Sequence, residues 1–450
     1  MDRENIKTII LIVLVIISVF FTSKMWIEVE YSSNDIPDDD DFLFDDNSGI
    51  LEVIAPDRIA VHLNGNKILV MNPSQQEYQE IWAIVLNNSV KCIAEGDKTD
   101  FVLIDKNIWE EQKKEECLEL IFKTPFDLKF WNKAFNSKKK TLPNIRLSRL
   151  IISLDMPNTV LLFDDETESY YKISKDNINP LTESMLNEIT NSDELKEHIE
   201  LSTNTLGLVL ETGIYVPKDP LTISGVTVIK EDIKPDELVK DFFSDMSVVR
   251  KIEEKDGARI YTDGKKGFRI YPSGAIEFNH AVTAQGDHSD DLFDAAKTGY
   301  NFLVTYGGLP TGSYLDKAEF LEHDPRSSLF AYDYRFKGIP VIGERNAIEI
   351  VITQGEVKNY YRNLEHPVAL ISEEQALSIS PVSTLEIAAS NLRFLINTQE
   401  DKHKIKDVYL AYYRPDDDSW EYTLSPVWVV ELKDIKIFID AVEGTMISLD

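Results

Sequence analysis

Hydrophobic and polar positions follow three rhythms along this chain. The first is a nearly unbroken apolar run at residues 8–26, TIILIVLVIISVFFTSKMW, with Arg3 and Lys7 before it and Lys24 near its end. About 19 residues at roughly 1.5 Å per residue just span a hydrocarbon core of about 30 Å, so the run predicts a single membrane-spanning helix. No A-x-A site and no lipid-accepting Cys follow it, which favours an uncleaved anchor over a signal peptide. The basic residues on its amino side predict residues 1–7 in the cytoplasm and the bulk of the chain outside. Residues 27–48 then turn strongly acidic, with Ser and Pro interspersed. They lack the ligand register of a calcium loop and read as a spacer.

The second and third rhythms interleave from residue 49 onward. Residues 58–63 and 67–71 alternate as two strands around the turn Asn64-Gly65-Asn66. Ser74 and Glu77 have capping-box spacing, and Tyr78, Ile81, Trp82, Val85 and Leu86 repeat at helical intervals. Residues 117–123 alternate, and 150–154, 160–163 and 169–173 read as a meander. A polar helix over 181–199 closes this region, and residues 215–220, with Pro217 and Pro220, read as a linker.

Past that point one grouping recurs: a helix, then short antiparallel strands. The first unit opens at Pro235 with Leu238, Val239, Phe242 and Met246 on one face, followed by strands at 248–253, 258–261, 267–271 and 275–279. The second has Asp290 and Asp291 in a helix's first turn, Leu292, Ala296, Tyr300 and Leu303 inside, and strands at 329–336, 347–353 and 357–361. The third has Ser383 and Glu386 as a capping box, the stripe Leu385, Ala388, Leu392 and Leu395, and strands at 408–413, 422–424, 427–432 and 435–439. Connections this short exclude a doubly wound parallel sheet for the second half of the chain. The predicted fold class is therefore α+β: one N-terminal transmembrane helix, then a multi-domain extracytoplasmic portion of helices packed on antiparallel sheets. The expected domains are 49–216, 217–284 and 285–450.

Charge narrows the function. Against 47 Lys and Arg stand 78 Asp and Glu, a formal charge of -31. Such a surface repels phosphate backbones, so no nucleic-acid partner is expected. Cys92 and Cys117 have no metal-ligand spacing, and a bond between them is left open. No H-E-x-x-H, G-x-S-x-G, Walker loop or dinucleotide fingerprint occurs. His280, Asp287, His288, Asp290 and Asp291 come nearest to a metal cluster, but carboxylates that begin a helix explain them better. The run 307–312, GGLPTG, follows a helix and lacks a Lys, so it reads as a helix terminator instead of a phosphate loop. No carboxylate pair stands out as a glycosidase pair. No catalytic residue, cofactor or metal ligand is expected, and the remaining class is an interaction protein.

The opening residues MDRENIKTIILIVLVIISVFFTSKMW, the layout of anchor, acidic spacer and large outer portion, and the closing Leu424-Ser425-Pro426-Val427-Trp428 with a hairpin around Glu443-Gly444 resemble YycH (WalH) proteins of low-GC Gram-positive bacteria. The resemblance implies a regulator that associates, together with YycI, with the WalK (YycG) sensor histidine kinase and adjusts signalling to WalR over cell-wall metabolism. It also implies three outer domains, the two C-terminal ones similar to YycI, and no catalytic residues. On that basis the anchor packs against the kinase's membrane helices, where small and polar side chains mark the protein-facing side. Val15, Ser18, Val19 and Thr22 are the expected contact residues, although Ser18 and Thr22 are equally able to bond their own carbonyls one turn back. A module binding a wall ligand or secreted peptide is the alternative; a wall hydrolase would need two convergent carboxylates. Whether the chain forms a homodimer is left open.

Overall fold

Alternation decides which faces of a strand are dry. In Arg58–Leu63, Ile59 and Val61 point one way and Ala60 and His62 the other, and all four are buried. A strand dry on both sides must lie between layers. The computed structural model describes residues 47–137, 141–192, 194–201, 208–231, 234–282, 291–370, 375–395, 404–415, 419–432 and 435–449, all within one compact unit. The expected anchor and spacer, including Val15, Ser18, Val19 and Thr22, lie outside the described residues. Among the described residues no helix is long and apolar enough to cross a membrane.

Two large sheets organise these residues, and the class is α+β as expected. The first has nine strands, all antiparallel, in the order Tyr215–Pro217, Glu197–Glu200, Lys67–Met71, Arg58–Leu63, Cys117–Asp127, Arg146–Ser153, Thr159–Asp164, Ser169–Ser174 and Phe101–Ile104. One face carries Ile59, Val61, Leu118, Leu120, Leu150 and Ile152, which join the main core with Tyr78, Ile81, Trp82 and Val85 of the helix Gln76–Val85. The other face carries Cys117, Ile151 and Leu161 beneath Trp109 of the helix Lys106–Gln112.

The second sheet has fifteen strands among the described residues. Its path runs from the edge strand Arg250–Glu253 through Arg259–Thr262, Lys266–Ile270, Ile276–His280, Glu356–Arg362, Ile348–Thr353, Asp324–Phe336, Ile339–Ile342, Asp407–Tyr413, Glu421–Glu431 and Val226–Lys230 to Glu365–Leu370. All pairings are antiparallel except Ile339–Ile342 with Asp407–Tyr413. The helix Leu292–Thr305 buries Phe293, Ala296, Gly299 and Leu303, and Asp291 caps it by accepting from the Phe293 N–H. Its end is a glycine stop: the Gly308 N–H donates to the Leu303 carbonyl at 2.7 Å, with Gly307 and Gly308 both at positive φ.

Several local expectations are corrected. Ser74 is not a cap, because its N–H and hydroxyl both bond Asn72 and the helix begins after Gln75. Likewise Ser380, not Ser383, caps Pro381–Leu395 by accepting the Ser383 N–H at 3.1 Å. The helix expected over 181–199 is only Glu183–Thr190, and Glu197–Glu200 is a strand, since its backbone pairs with Lys67–Met71. The expected linker is also a strand, Tyr215–Pro217, paired with Glu197–Glu200. Met246 falls beyond its helix, in the turn Met246–Val248, and is exposed. The strands expected at 422–424 and 427–432 are one strand, Glu421–Glu431, which pairs first with Val226–Lys230 and then with Asp407–Tyr413, so Pro426 lies mid-strand and Leu432 just beyond the end. The strand Ser313–Leu321 has no counterpart in the sequence reading. Both cysteines are free thiols.

Candidate functional site

The two sheets meet where short strand ends carry opposite charges. Arg58, at the start of its strand, puts Nη2 2.5 Å from Asp407 of the second sheet. Its neighbour Asp57 accepts from Arg335 at 2.6 Å. Lys123, where Cys117–Asp127 leaves the shared register, reaches Glu431 at 3.0 Å and Asp316 at 3.3 Å, and its Nζ lies 4.8 Å from the Tyr409 ring centroid. The next residue, Thr124, donates its hydroxyl to the Leu315 carbonyl at 2.8 Å. From there the network runs into the second sheet. Lys436 lies 3.0 Å from Asp316, and the Asn346 amide donates to Asp316 at 3.0 Å and to Asp333 at 2.7 Å. Arg414 stands 3.6 Å from Asp333 and 3.9 Å from Glu365.

These groups are buried, so desolvation and pairing compete. Burial alone would pull the Lys123 ammonium down; Glu431, with Tyr409 and Asp316, overrides it and holds the group well above its ordinary value. Burial would raise Asp316, yet Lys436 and Lys123 hold it low. Asp333 goes the other way. Burial outweighs Arg414, the negative Asp316 adds to it, and the carboxyl is pushed up to about 6. At Asp407 burial likewise wins over Arg58 and raises the group.

Beside these pairs opens a cavity of about 340 Å³, lined among others by Arg58, Lys123, His198, Tyr314, Arg335 and Trp428. Burial lowers His198 to about 4, so this wall is neutral imidazole at physiological pH. The Trp428 indole N–H is committed to the Ile379 carbonyl at 2.8 Å.

A second buried cluster sits within the first sheet. Glu119 is fully buried, accepts from the Tyr215 hydroxyl, and lies 3.3 Å from His62 Nε2 and 3.4 Å from Arg149 Nη1. Lys113 is 4.0 Å from Glu119 and 2.7 Å from Glu200, which also accepts the Gly213 N–H at 2.6 Å. Burial pushes Glu119 up, but Lys113, His62 and Arg149 together hold it well below the carboxylate range. Tyr215 thereby fastens the outermost strand of this sheet to its middle.

All four residues expected from sequence to touch a partner precede residue 47 and lie outside the described residues. Of the histidine and aspartate set, His280 lies 3.9 Å from Glu356 and Asp291 caps its helix, while Asp287, His288 and Asp290 lie outside the described residues. The junction residues escaped the sequence reading. Their one visible signal is a charged residue ending an apolar strand, as at Arg58 and Lys123, and that pattern is equally the mark of a strand reaching solvent.

Comparison with known proteins gives a consistent result. A family model described as the YycH protein N-terminal domain matches residues 4–193, and one described as the YycH protein C-terminal domain matches residues 211–442. The chain is 23% identical over 464 aligned positions to the Bacillus subtilis (strain 168) protein named two-component system WalR/WalK regulatory protein YycH, covering 96% of this chain and 95% of that one. The crystal structure of YycH from Bacillus subtilis superposes with a TM-score of 0.57 at 17% identity, covering 88% of this chain and 95% of the other, a likeness of fold.

Proposed function

The chain belongs to the YycH family, and from that membership we propose that it is a membrane-anchored, extracytoplasmic regulator of a WalK (YycG)-type sensor histidine kinase. In this reading residues 8–26 cross the membrane once, with residues 1–7 in the cytoplasm. Residues 27–48 lead outward, and 49–216, 217–284 and 285–450 serve as outer domains. The anchor packs against the kinase's membrane helices through Val15, Ser18, Val19 and Thr22, YycI joins the same assembly, and the assembly modulates two-component signalling over cell-wall metabolism. The observation that carries the reading is the match of both family domains along the chain, beside the regulatory role named for the Bacillus subtilis relative. The buried junction supports a mechanism: sheets pinned by ion pairs tilt as one body, so a force on the outer portion reaches the anchor.

A kinase poised between two helix arrangements needs a differential contact energy of only about 1–3 kcal/mol to change its output roughly 5- to 150-fold. The test replaces Ser18 and Thr22 together by Leu in the full-length chain. Co-purification with the kinase is expected to fall several-fold and reporter output to move with it. Unchanged recovery and output would place the contact face elsewhere; no co-purification even of the unaltered chain would remove the kinase reading.

The junction cavity favours a second reading, a site for a wall fragment or secreted peptide, because tyrosines and arginines line it beside Trp428. Titration of soluble wall fragments against tryptophan fluorescence separates the two.

A further inference from the structure

Arg250–Glu253 begins the second sheet, and no described strand pairs with its outer side. All four residues are exposed, Ile252 to 49%. Its pairing with Arg259–Thr262 sets Ile252 opposite Ile260 and Glu253 opposite Arg259, and the Glu254 N–H donates to the Ala258 carbonyl at 2.8 Å. Inward bonding alternates along an antiparallel strand. Residues 254, 252 and 250 therefore bond inward, and Lys251 and Glu253 aim their backbone N–H and C=O groups at open space.

An unpaired edge is a template for another strand. The side chains here say which strand fits. Two identical edges can pair antiparallel only about a two-fold axis that sets one residue opposite its own copy. Centred on Arg250, Lys251 or Glu253, that axis brings like charges face to face. Centred on Ile252 it sets an exposed isoleucine against its twin. Lys251 then faces the copy's Glu253 on one side of the sheet, and Arg250 faces the copy's Glu254 on the other. The same register puts the outward-bonding Lys251 and Glu253 opposite each other, as ladder hydrogen bonds require.

Within one chain Lys251 lies 3.4 Å from Glu253, and Arg269 pairs with Glu254, so a second copy would extend pairs that already exist. The charge of the strip also permits the approach. The chain carries -31 overall, whereas here Arg250 and Lys251 balance Glu253 and Glu254, so two copies meet on a neutral strip without opposing their acidity.

We propose that Arg250–Glu253 is a homodimerisation edge, on which a second copy of this chain pairs antiparallel about Ile252 and joins the two second sheets into one. The contact is short and on its own weak, and tethering to a common surface would raise its effective concentration.

The test uses cells expressing two differently tagged full-length copies, both carrying Ile252→Cys in a Cys92→Ser background. Residues facing each other at a non-hydrogen-bonded position have Cα atoms roughly 4.5 Å apart, within disulfide reach. Mild oxidation is expected to give a disulfide-linked product bearing both tags, roughly 10-fold above a Val102→Cys control at the edge of the first sheet. Adding Lys251→Glu to both copies, or Glu253→Lys to both, should lower the product roughly 10-fold, because attractive cross-strand pairs become repulsive. One of each should restore it, since the charges are complementary again. The proposal is overturned by a product no stronger than the control, by one indifferent to charge, or by a heavier product bearing a single tag, which would mean that another protein occupies the edge.

Discussion

Two buried charge networks hold this molecule together, and they are built on opposite principles. In the first sheet one fully buried carboxylate, Glu119, faces Lys113, Arg149 and His62 and accepts the Tyr215 hydroxyl, so positive and donor groups surround it, and the half-buried Glu200 shares only Lys113. At the junction Asp316, Asp333 and Glu431 share Lys123, Lys436 and Arg414, and two of the acids are bridged by one amide. The first network is saturated and its anion is held low; the second keeps one member, Asp333, raised to about 6. A lock within one sheet is thus joined to a seam between sheets whose charge changes under mildly acidic conditions.

The sharpest way to break this comparison is to remove the central group of each network. Glu119→Ala leaves Arg149 buried without its carboxylate and the Tyr215 hydroxyl without its acceptor, while Lys113 keeps Glu200 at 2.7 Å; removing one partner of a buried pair costs about 3–5 kcal/mol. Lys123→Met removes the cation shared by Glu431 and Asp316, but Lys436 still serves Asp316, so a smaller loss of about 2 kcal/mol is expected. Urea unfolding of the two variants at pH 7 measures the order. If Lys123→Met costs more, the junction and not the first sheet is the lock.

The networks should also part on pH. A carboxyl raised on folding binds its proton more tightly in the folded state, so its ionisation opposes folding. That cost is absent below the unfolded value of about 3.8 and grows as pH rises through about 6. Glu119 has the reverse sign: its stabilisation is full above the unfolded value near 4.5 and is lost only as pH falls through its folded value, well below that. Between pH 7 and pH 5 only the junction should respond. Asp333→Asn is expected to raise stability by about 1 kcal/mol at pH 7, with the gain shrinking at pH 5. The residual slope belongs to Glu365, Asp407 and Glu211, which burial also raises, and to His198, which burial lowers to about 4. An equal gain at both values would mean that Asp333 does not titrate in this window.

The sequence displayed much of the fold and little of either network, for a physical reason. Periodicity reports which positions are apolar, and it placed Arg58–Leu63 and Lys67–Met71 and half of the dry face of Leu292–Thr305: Ala296 and Leu303 are buried as expected, while Phe293 and Gly299 are buried where Leu292 and Tyr300 are only half-buried. It cannot report what covers a polar position. Glu119 and Lys123 read as the wet side of an alternating strand, and only the contacts with Tyr215 and with the second sheet make them dry. Caps failed similarly: Ser74 and Ser383 match a spacing, yet Asn72 accepts Ser74's own N–H and hydroxyl, and Ser380 accepts the Ser383 N–H. Prolines misled in the 215–220 stretch because an edge strand tolerates them when the missing N–H faces outward.

Tyr215 turns that last misreading into the finest test of the comparison. Its hydroxyl donates to Glu119, while Tyr409 donates to Glu431 at 3.1 Å in the junction. Both acceptors are ionised carboxylates, for which a hydrogen bond contributes about 1.5–3 kcal/mol when nothing replaces it. Around Glu119 the cations remain after Tyr215→Phe, so the cost falls to about 1 kcal/mol, but it should be felt locally as well. The strand Tyr215–Pro217 keeps only its pairing with Glu197–Glu200, and its amides are expected to exchange several-fold faster in hydrogen-exchange measurements. Tyr409→Phe leaves Lys123 3.0 Å from Glu431 and lies in a strand paired on both sides, so it should cost less and leave exchange of Asp407–Tyr413 unchanged. Equal exchange effects would mean that the outermost strand is held by its backbone alone, and the tyrosine would then be a passenger of the Glu119 cluster and no longer its fastening.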